Sequence, residues 1–198
     1  MSHYFVTPEE TGKTRTIQAT IWDRDYEFTT APGVFSGSRL DLGTSVLLRT
    51  CFPDASARTL LDLGCGYGPI AVALATELPE ATIHAVDVNE LALELTTRNA
   101  TDLDVANQVK ATTPTSLDDS VTFDEIWSNP PIRIGKAALH ELLLTWLPRL
   151  SPDGVAYLVV GKNLGADSLQ NWLIEQGWPT ERLASAKGFR VFAVTRSR

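Results

Sequence analysis

Thr59-Leu60-Leu61-Asp62-Leu63-Gly64-Cys65-Gly66-Tyr67-Gly68-Pro69 is the stretch on which the fold of this chain turns. Its first five residues form a short apolar run suited to a buried strand. Alternate glycines then stop the run, since they let the backbone turn tightly and let a ligand approach where a Cβ would collide. Pro69 opens an alanine-rich helix over residues 70–78, at a position where its missing N–H does no harm. Downstream the rhythm repeats. A strand is predicted at 82–86, then a helix at 90–99 capped by Asn89 with Leu91, Ala92 and Leu95 on one face. A strand at 123–127 runs into Asn129-Pro130-Pro131, where prolines forbid its continuation. A helix over 136–147 follows, and Ser151-Pro152-Asp153-Gly154 signals a turn into a strand at 154–160. A helix over 168–176 closes at Gly177. Strands at 180–184 and 189–195, joined through Gly188, suit an antiparallel hairpin.

Strand and helix in alternation imply an α/β fold, a parallel sheet covered on both faces and made mixed by the terminal hairpin. Upstream, Arg15 to Ile21 and Tyr26 to Phe28 alternate as strands do. They predict a small β extension over the sheet's carboxyl edge, followed by a helix over 41–49. The expected organisation is a single domain over 1–198, with the extension at 1–38 and the core at 39–198.

With 198 residues, 43% apolar and 21% charged, neither disorder nor a fibrous class fits. A net charge of -7 excludes a histone-like polybasic chain but leaves room for a nucleic-acid enzyme with a local basic patch. No apolar run approaches the length of a membrane span, and Met1 to Phe5 lack a secretory pattern. Cys51 and Cys65 form no Cys-x-x-Cys pair, and His3, His84 and His140 have no ligand spacing, so no metal site is expected. A cytoplasmic globular protein is expected, its oligomeric state left open.

Asp87 ends the strand after the glycine loop, about twenty residues on, where a carboxylate can accept from paired ribose hydroxyls. Loop and acid together point to an adenosine-containing ligand. Asp62, immediately before the glycines, would repel a pyrophosphate but suits an ammonium. S-adenosyl-L-methionine has an ammonium, a sulfonium and no phosphate, and so fits better than a dinucleotide. On Asp62 to Gly68 and Asp87 the chain resembles the class I S-adenosylmethionine-dependent methyltransferases. That resemblance implies a Rossmann-like seven-stranded mixed sheet. It also implies a cofactor site in which Gly64, Cys65 and Gly66 pass beneath the methionyl part, Asp87 holds the ribose and Val88 packs on adenine. Where such enzymes often place an acid after the third strand, this chain has Thr113, whose hydroxyl would receive the adenine amine.

Asn129-Pro130-Pro131-Ile132 follows a strand at the same carboxyl edge. An exocyclic ring amine is a poor nucleophile, because its lone pair is delocalised into the ring. Two acceptors on its N–H groups draw it toward a tetrahedral shape and aim the lone pair. The Asn129 side-chain oxygen is one acceptor; the Pro130 carbonyl, held by restricted prolines, is the other. No strong base is required, since the methylated nitrogen can lose its proton to water. This turn resembles the Asn-Pro-Pro-aromatic motif of methyltransferases acting on planar nitrogens, with Ile132 in the aromatic position and Phe35 or Trp127 as substitute platforms.

The longer string Asn129 to Lys136 is similar to a small methyltransferase family that includes the guanine-N2 methyltransferases of small-subunit ribosomal RNA. His3-Tyr4-Phe5, Gly33 to Ser36, Leu40 to Thr44, Asp87-Val88-Asn89, Lys162 with Gly165-Ala166, and Gly188 to Val191 match it too. The resemblance implies ribosomal RNA or the small subunit as partner, and S-adenosyl-L-methionine as cofactor close to Asn129. Arg39, Arg133, Lys136, Lys162, Lys187 and Arg190 are candidate phosphate contacts. Bacterial enzymes of this type carry an extra amino-terminal domain, for which this chain is too short. Trp22 is a candidate for the substrate mouth, and Trp146, Trp172 and Trp178 for the core. Protein glutamine or small-molecule N-methylation, and a non-catalytic cofactor-binding subunit, remain alternatives.

Overall fold

The computed structural model describes residues 13–34, 39–130 and 135–197. In chain order they form β1 (Arg15–Ile21), β2 (Arg24–Thr30), α1 (Leu42–Thr50), β3 (Thr59–Leu63), α2 (Pro69–Glu77), β4 (Thr82–Val86) and α3 (Glu90–Asp102). β5 (Val109–Thr112), β6 (Phe123–Ser128), α4 (Lys136–Trp146), β7 (Leu150–Gly161), α5 (Ala166–Glu175), β8 (Thr180–Ala186) and β9 (Phe189–Thr195) follow.

β3 lies at the heart of a seven-stranded sheet of order β5-β4-β3-β6-β7-β9-β8. Leu60 to Leu63 are all buried, which is why this strand reads as a continuous run instead of an alternation. β4 and β6 flank β3 in parallel, whereas β9 runs antiparallel to both β7 and β8. The chain steps from β3 to β4 on one side and later crosses to β6 on the other. The carboxyl ends of β3 and β6 therefore face the crevice where an open α/β sheet takes its ligand.

Each face of the sheet has its own core. One joins Leu47 of α1, the alanines of α2, and Ala92 and Leu95 of α3; the other joins Leu139, Leu143 and Trp146 of α4 with Leu169 and Leu173 of α5. Residues 69–75 of α2 are buried without interruption, so its small side chains let sheet, neighbouring helix and hairpin close around it.

Three differences from expectation have physical causes. β5 is only four residues long, too short for periodicity to reveal. Ser151 to Gly154 does not precede β7 but lies within it, as an irregularity. Phe123 pairs with Leu150 while Glu125 pairs with Val155, and a Cβ on Gly154 would fall 2.8 Å from the Phe123 carbonyl.

The third difference concerns β1 and β2. They form a separate hairpin laid against the helices, not over the carboxyl edge. Its buried Ile17, Ile21, Tyr26 and Phe28 join the core of α1, α2 and α3. Asn99 of α3 accepts from Thr29 N (2.7 Å) and donates to Thr29 O (2.9 Å) and Tyr67 O (2.8 Å), which ties the hairpin to the glycine loop. Only the exit of the hairpin reaches the carboxyl edge, where Asn89 Nδ2 donates to Gly33 O at 3.2 Å. Among the described residues, no helix is long and apolar enough to cross a membrane.

Candidate active site

The loop after β3 carries left-handed backbone at Gly64, Gly66 and Gly68, with φ of 78°, 58° and 88°. At Gly68 the requirement is twofold, because a Cβ there would also sit 2.9 Å from Thr96 Oγ1 and 3.2 Å from Thr96 Cα. The buried Thr96 donates from Oγ1 to Gly66 O at 2.9 Å, so α3 holds the loop from behind. Gly64 N and Cys65 N donate to Val86 O at 2.8 and 3.1 Å, joining the ends of β3 and β4. Cys65 is buried, while Gly64 is exposed on the crevice.

Two carboxylates bracket this loop. Asp62 is wholly buried, and its Oδ2 accepts from Ala71 N at 2.9 Å in the first turn of α2. Its Oδ1 is buried with no hydrogen-bond partner. Burial, reinforced by the charge of Asp87 and opposed by the Ala71 bond, pushes its pKa up to about 8. Asp87 is half-buried and accepts from Gly66 N on Oδ2 and from Asn89 N on Oδ1, both at 3.0 Å. A carboxylate offers about four lone-pair positions, so acceptor capacity remains. Val88 beside it is 51% exposed, an apolar surface turned outward.

Across the crevice stands Asn129. Its Nδ2 donates to Asp41 Oδ2 at 2.7 Å and to Thr44 Oγ1 at 3.0 Å. Asp41 also caps α1, accepting from Thr44 N at 2.9 Å. Pro130 is buried behind this turn. Asp41, Thr44, Gly64, Gly66, Tyr67 and Asn129 line one cleft, shared by the α1 start, the glycine loop and the β6 end. The Tyr67 hydroxyl is buried there without a partner, and burial together with the Asp41 charge raises its pKa well above the usual phenol value. A Cβ on Gly43 would fall 2.9 Å from Phe189 Cε1 and 3.2 Å from Asn129 Nδ2. An aromatic ring from β9 thus stands at the turn.

The remaining predicted residues spread more widely. Thr113 follows β5 at the same edge, its Oγ1 2.8 Å from Ser116 Oγ. Lys136 is exposed at the start of α4. Arg190 lies in β9 with its Nε 3.5 Å from Asp167 Oδ1, an ion-pair distance within the chain. Phe35, Pro131, Ile132 and Arg133 lie outside the described residues. Trp127 cannot serve as a ring platform: it is fully buried, with Nε1 donating to Glu125 Oε2 at 2.7 Å. Trp22 is not at the mouth either. Its Nε1 donates to Leu48 O and Cys51 O, at the end of α1 remote from Asp41. Asp41, Thr44, Tyr67 and Phe189 lie in stretches that carry the family resemblance, but sequence assigned none of them a role of its own. Asp41 followed by Thr44 reads as a helix cap, but its reach to Asn129, 88 positions away, is a property of the fold. Among the described residues, no group of three or more His, Cys, Asp or Glu is placed to hold a metal ion.

Comparison with known proteins gives this arrangement a family. Uncharacterized protein YbxB of Bacillus subtilis is 33% identical over 168 residues, covering 84% of this chain and 84% of that protein. Ribosomal RNA small subunit methyltransferase C of Hahella chejuensis is 33% identical over 171 residues, covering 84% of this chain but 48% of that enzyme. Among solved structures, the T. thermophilus 16S rRNA N2 G1207 methyltransferase in complex with AdoMet and guanosine superposes with a TM-score of 0.77 at 26% identity, over 93% of this chain and 51% of that one. The chain thus spans about half the length of the ribosomal RNA enzymes it matches. The model of the methyltransferase small domain matches residues 25–193, from the amino-terminal hairpin to the last strand, and the chain belongs to that family.

Proposed function

We propose that this protein is an S-adenosylmethionine-dependent N-methyltransferase acting in the cytoplasm on the exocyclic N2 amine of a guanine in small-subunit ribosomal RNA. The observation that carries the reading is the state of Asn129. Both hydrogens of its amide are taken by Asp41 and Thr44, so Oδ1 is presented as an acceptor. An acceptor fixed beside a cofactor loop is what a weakly nucleophilic amine needs.

The residues of the crevice fit the cofactor. A buried Oδ1 on Asp62 without a partner suits an ammonium, whose positive charge would draw this carboxyl into its ionised form. Asp87 retains acceptor capacity for ribose hydroxyls, Val88 offers an apolar face for adenine, and the Thr113 hydroxyl lies at the adjoining strand end. Gly64, Cys65 and Gly66 supply backbone beneath the methionyl part. When bound, this cofactor supplies an electrophilic methyl group. The protein's own part is to bind and aim: Asn129 Oδ1 and Pro130 O accept from the two amine hydrogens and turn the lone pair out of the ring plane. Pro131 stiffens that carbonyl, and Phe35, Ile132, Arg133, Lys136 and Arg190 form the substrate side.

The test is transfer of labelled methyl from S-adenosylmethionine to unmethylated small subunits, free ribosomal RNA and total cell protein. Label is expected at guanine N2, with Asn129→Ala lowering kcat by about a hundredfold or more and leaving cofactor affinity within about threefold. Label only in protein would replace RNA by a glutamine side chain as the acceptor.

A further inference from the structure

From the hydrogen bonds around Asn129 we infer that Asp41 and Thr44 are positioning residues for the methyl-accepting amine, setting which face of the Asn129 amide meets the substrate. The inference rests on the function proposed above.

An asparagine amide is nearly symmetric in shape and opposite in chemistry at its two ends. If it presented NH₂ to the substrate amine, donor would meet donor and the nitrogen would be pushed away. Rotation of the terminal bond is broad and roughly two-fold, so the side chain's own preferences do not choose between the ends. The surroundings choose. A carboxylate can only accept, and Asp41 Oδ2 lies 2.7 Å from the amide, so the group it faces is NH₂. Thr44 Oγ1 takes the second hydrogen at 3.0 Å. Oδ1 is then turned away from α1.

The arrangement is over-determined. Asp41 Oδ2 is itself fixed by Thr44 N at 2.9 Å, so the first turn of α1 serves as a rigid mount. Gly43 leaves the space in which these groups meet, since a Cβ there would lie 3.0 Å from Asp41 Oδ2 and 3.2 Å from Asn129 Nδ2. Thr44 is buried, which keeps water from competing for the amide.

A cap and an orienting acceptor can be separated by side-chain length. Serine caps a helix as well as aspartate but is one atom shorter, so Asp41→Ser keeps the α1 cap and loses Asn129. Asp41→Asn keeps both contacts: donors approach from Thr44 N and from Asn129, and the new amide turns its oxygen to them. Methyl transfer to small-subunit RNA is measured for both, with cofactor affinity by calorimetry and Tm as controls. Asp41→Ser is expected to lose about a hundredfold in kcat, with KM for RNA and cofactor Kd within about threefold and Tm nearly unchanged. Asp41→Asn is expected to recover kcat to within about tenfold of wild type. Thr44→Val, which keeps volume without the hydroxyl, should lose about tenfold in kcat, and Thr44→Ser should restore it. Adding Asn129→Ala to Asp41→Ser should cost nothing more than Asn129→Ala alone, as for residues acting through one group. Wild-type kcat in Asp41→Ser beside an inactive Asn129→Ala overturns this inference alone. Equal inactivity of Asp41→Ser and Asp41→Asn, with Tm intact, overturns it too, by replacing acceptor geometry with charge. An Asn129→Ala enzyme as active as wild type removes the function on which it rests.

Discussion

Asp62 is held where its charge is costly. A carboxyl buried completely, with one oxygen unpartnered, prefers to stay protonated, and its pKa near 8 reflects chiefly that burial. The unfolded chain titrates the same group near its ordinary value of 3.8. Folding therefore takes up a proton in between. The contribution of Asp62 to stability is fully present below about pH 4 and is lost progressively as pH rises toward 8. Asp62→Asn lacks this titration, so its stability relative to wild type should climb from pH 5 to pH 8 in urea unfolding without cofactor. The proposed pairing of Asp62 with the cofactor ammonium predicts that S-adenosylmethionine reverses the order at pH 8, since binding stabilises the folded state by mass action. Asp62 and Asp87 were singled out in sequence as cofactor candidates because both stand at strand ends flanking one loop. Asp41 was not, because its chemistry depends on a partner brought by another strand.

At the scale of elements, the joints are polar and specific. The buried Asn99 makes three hydrogen bonds across α3, β2 and the glycine loop, the one to Tyr67 O shielded from water and the two to Thr29 partly so. Removing it leaves the buried Tyr67 carbonyl and the part-buried Thr29 backbone groups unpaired, so Asn99→Ala should destabilise by about 2 kcal/mol and lower Tm by roughly 6 °C. Gly68 joins β3 to α2 in left-handed backbone, with Thr96 in van der Waals contact where a side chain would grow. Gly68→Ala should cost at least ~2 kcal/mol by strain and overpacking, seen as a lower urea midpoint with unchanged slope. The helices and most strands were readable from periodicity and caps, with shifts of a few residues at their ends. Arg15–Ile21 and Phe189–Thr195 coincide with expectation. The Ser151 to Gly154 segment did not, because β6 supplies pairing partners on both sides of an excursion that local sequence reads as a turn.

For the whole molecule, the hairpin of β1 and β2 shares its core with α1, α2 and α3. Far-UV circular dichroism and tryptophan fluorescence, to which Trp22 and the deeply buried Trp127 contribute from rings 6.0 Å apart, should report one coincident unfolding transition. An early fluorescence transition would mean that the hairpin detaches first. The alternation of strand and helix, the glycine loop with its flanking acids, the Asn-Pro-Pro turn and the cofactor class can be read from the chain alone, because each rests on residues near one another in it. Where the hairpin lies, that Trp127 is core and not platform, that Phe189 stands at the turn, and which way the Asn129 amide faces emerge from folding. Those outcomes depend on contacts between segments far apart in sequence. Local propensity carries no record of them, since a side chain's partner is chosen by the packing of the sheet and its helices.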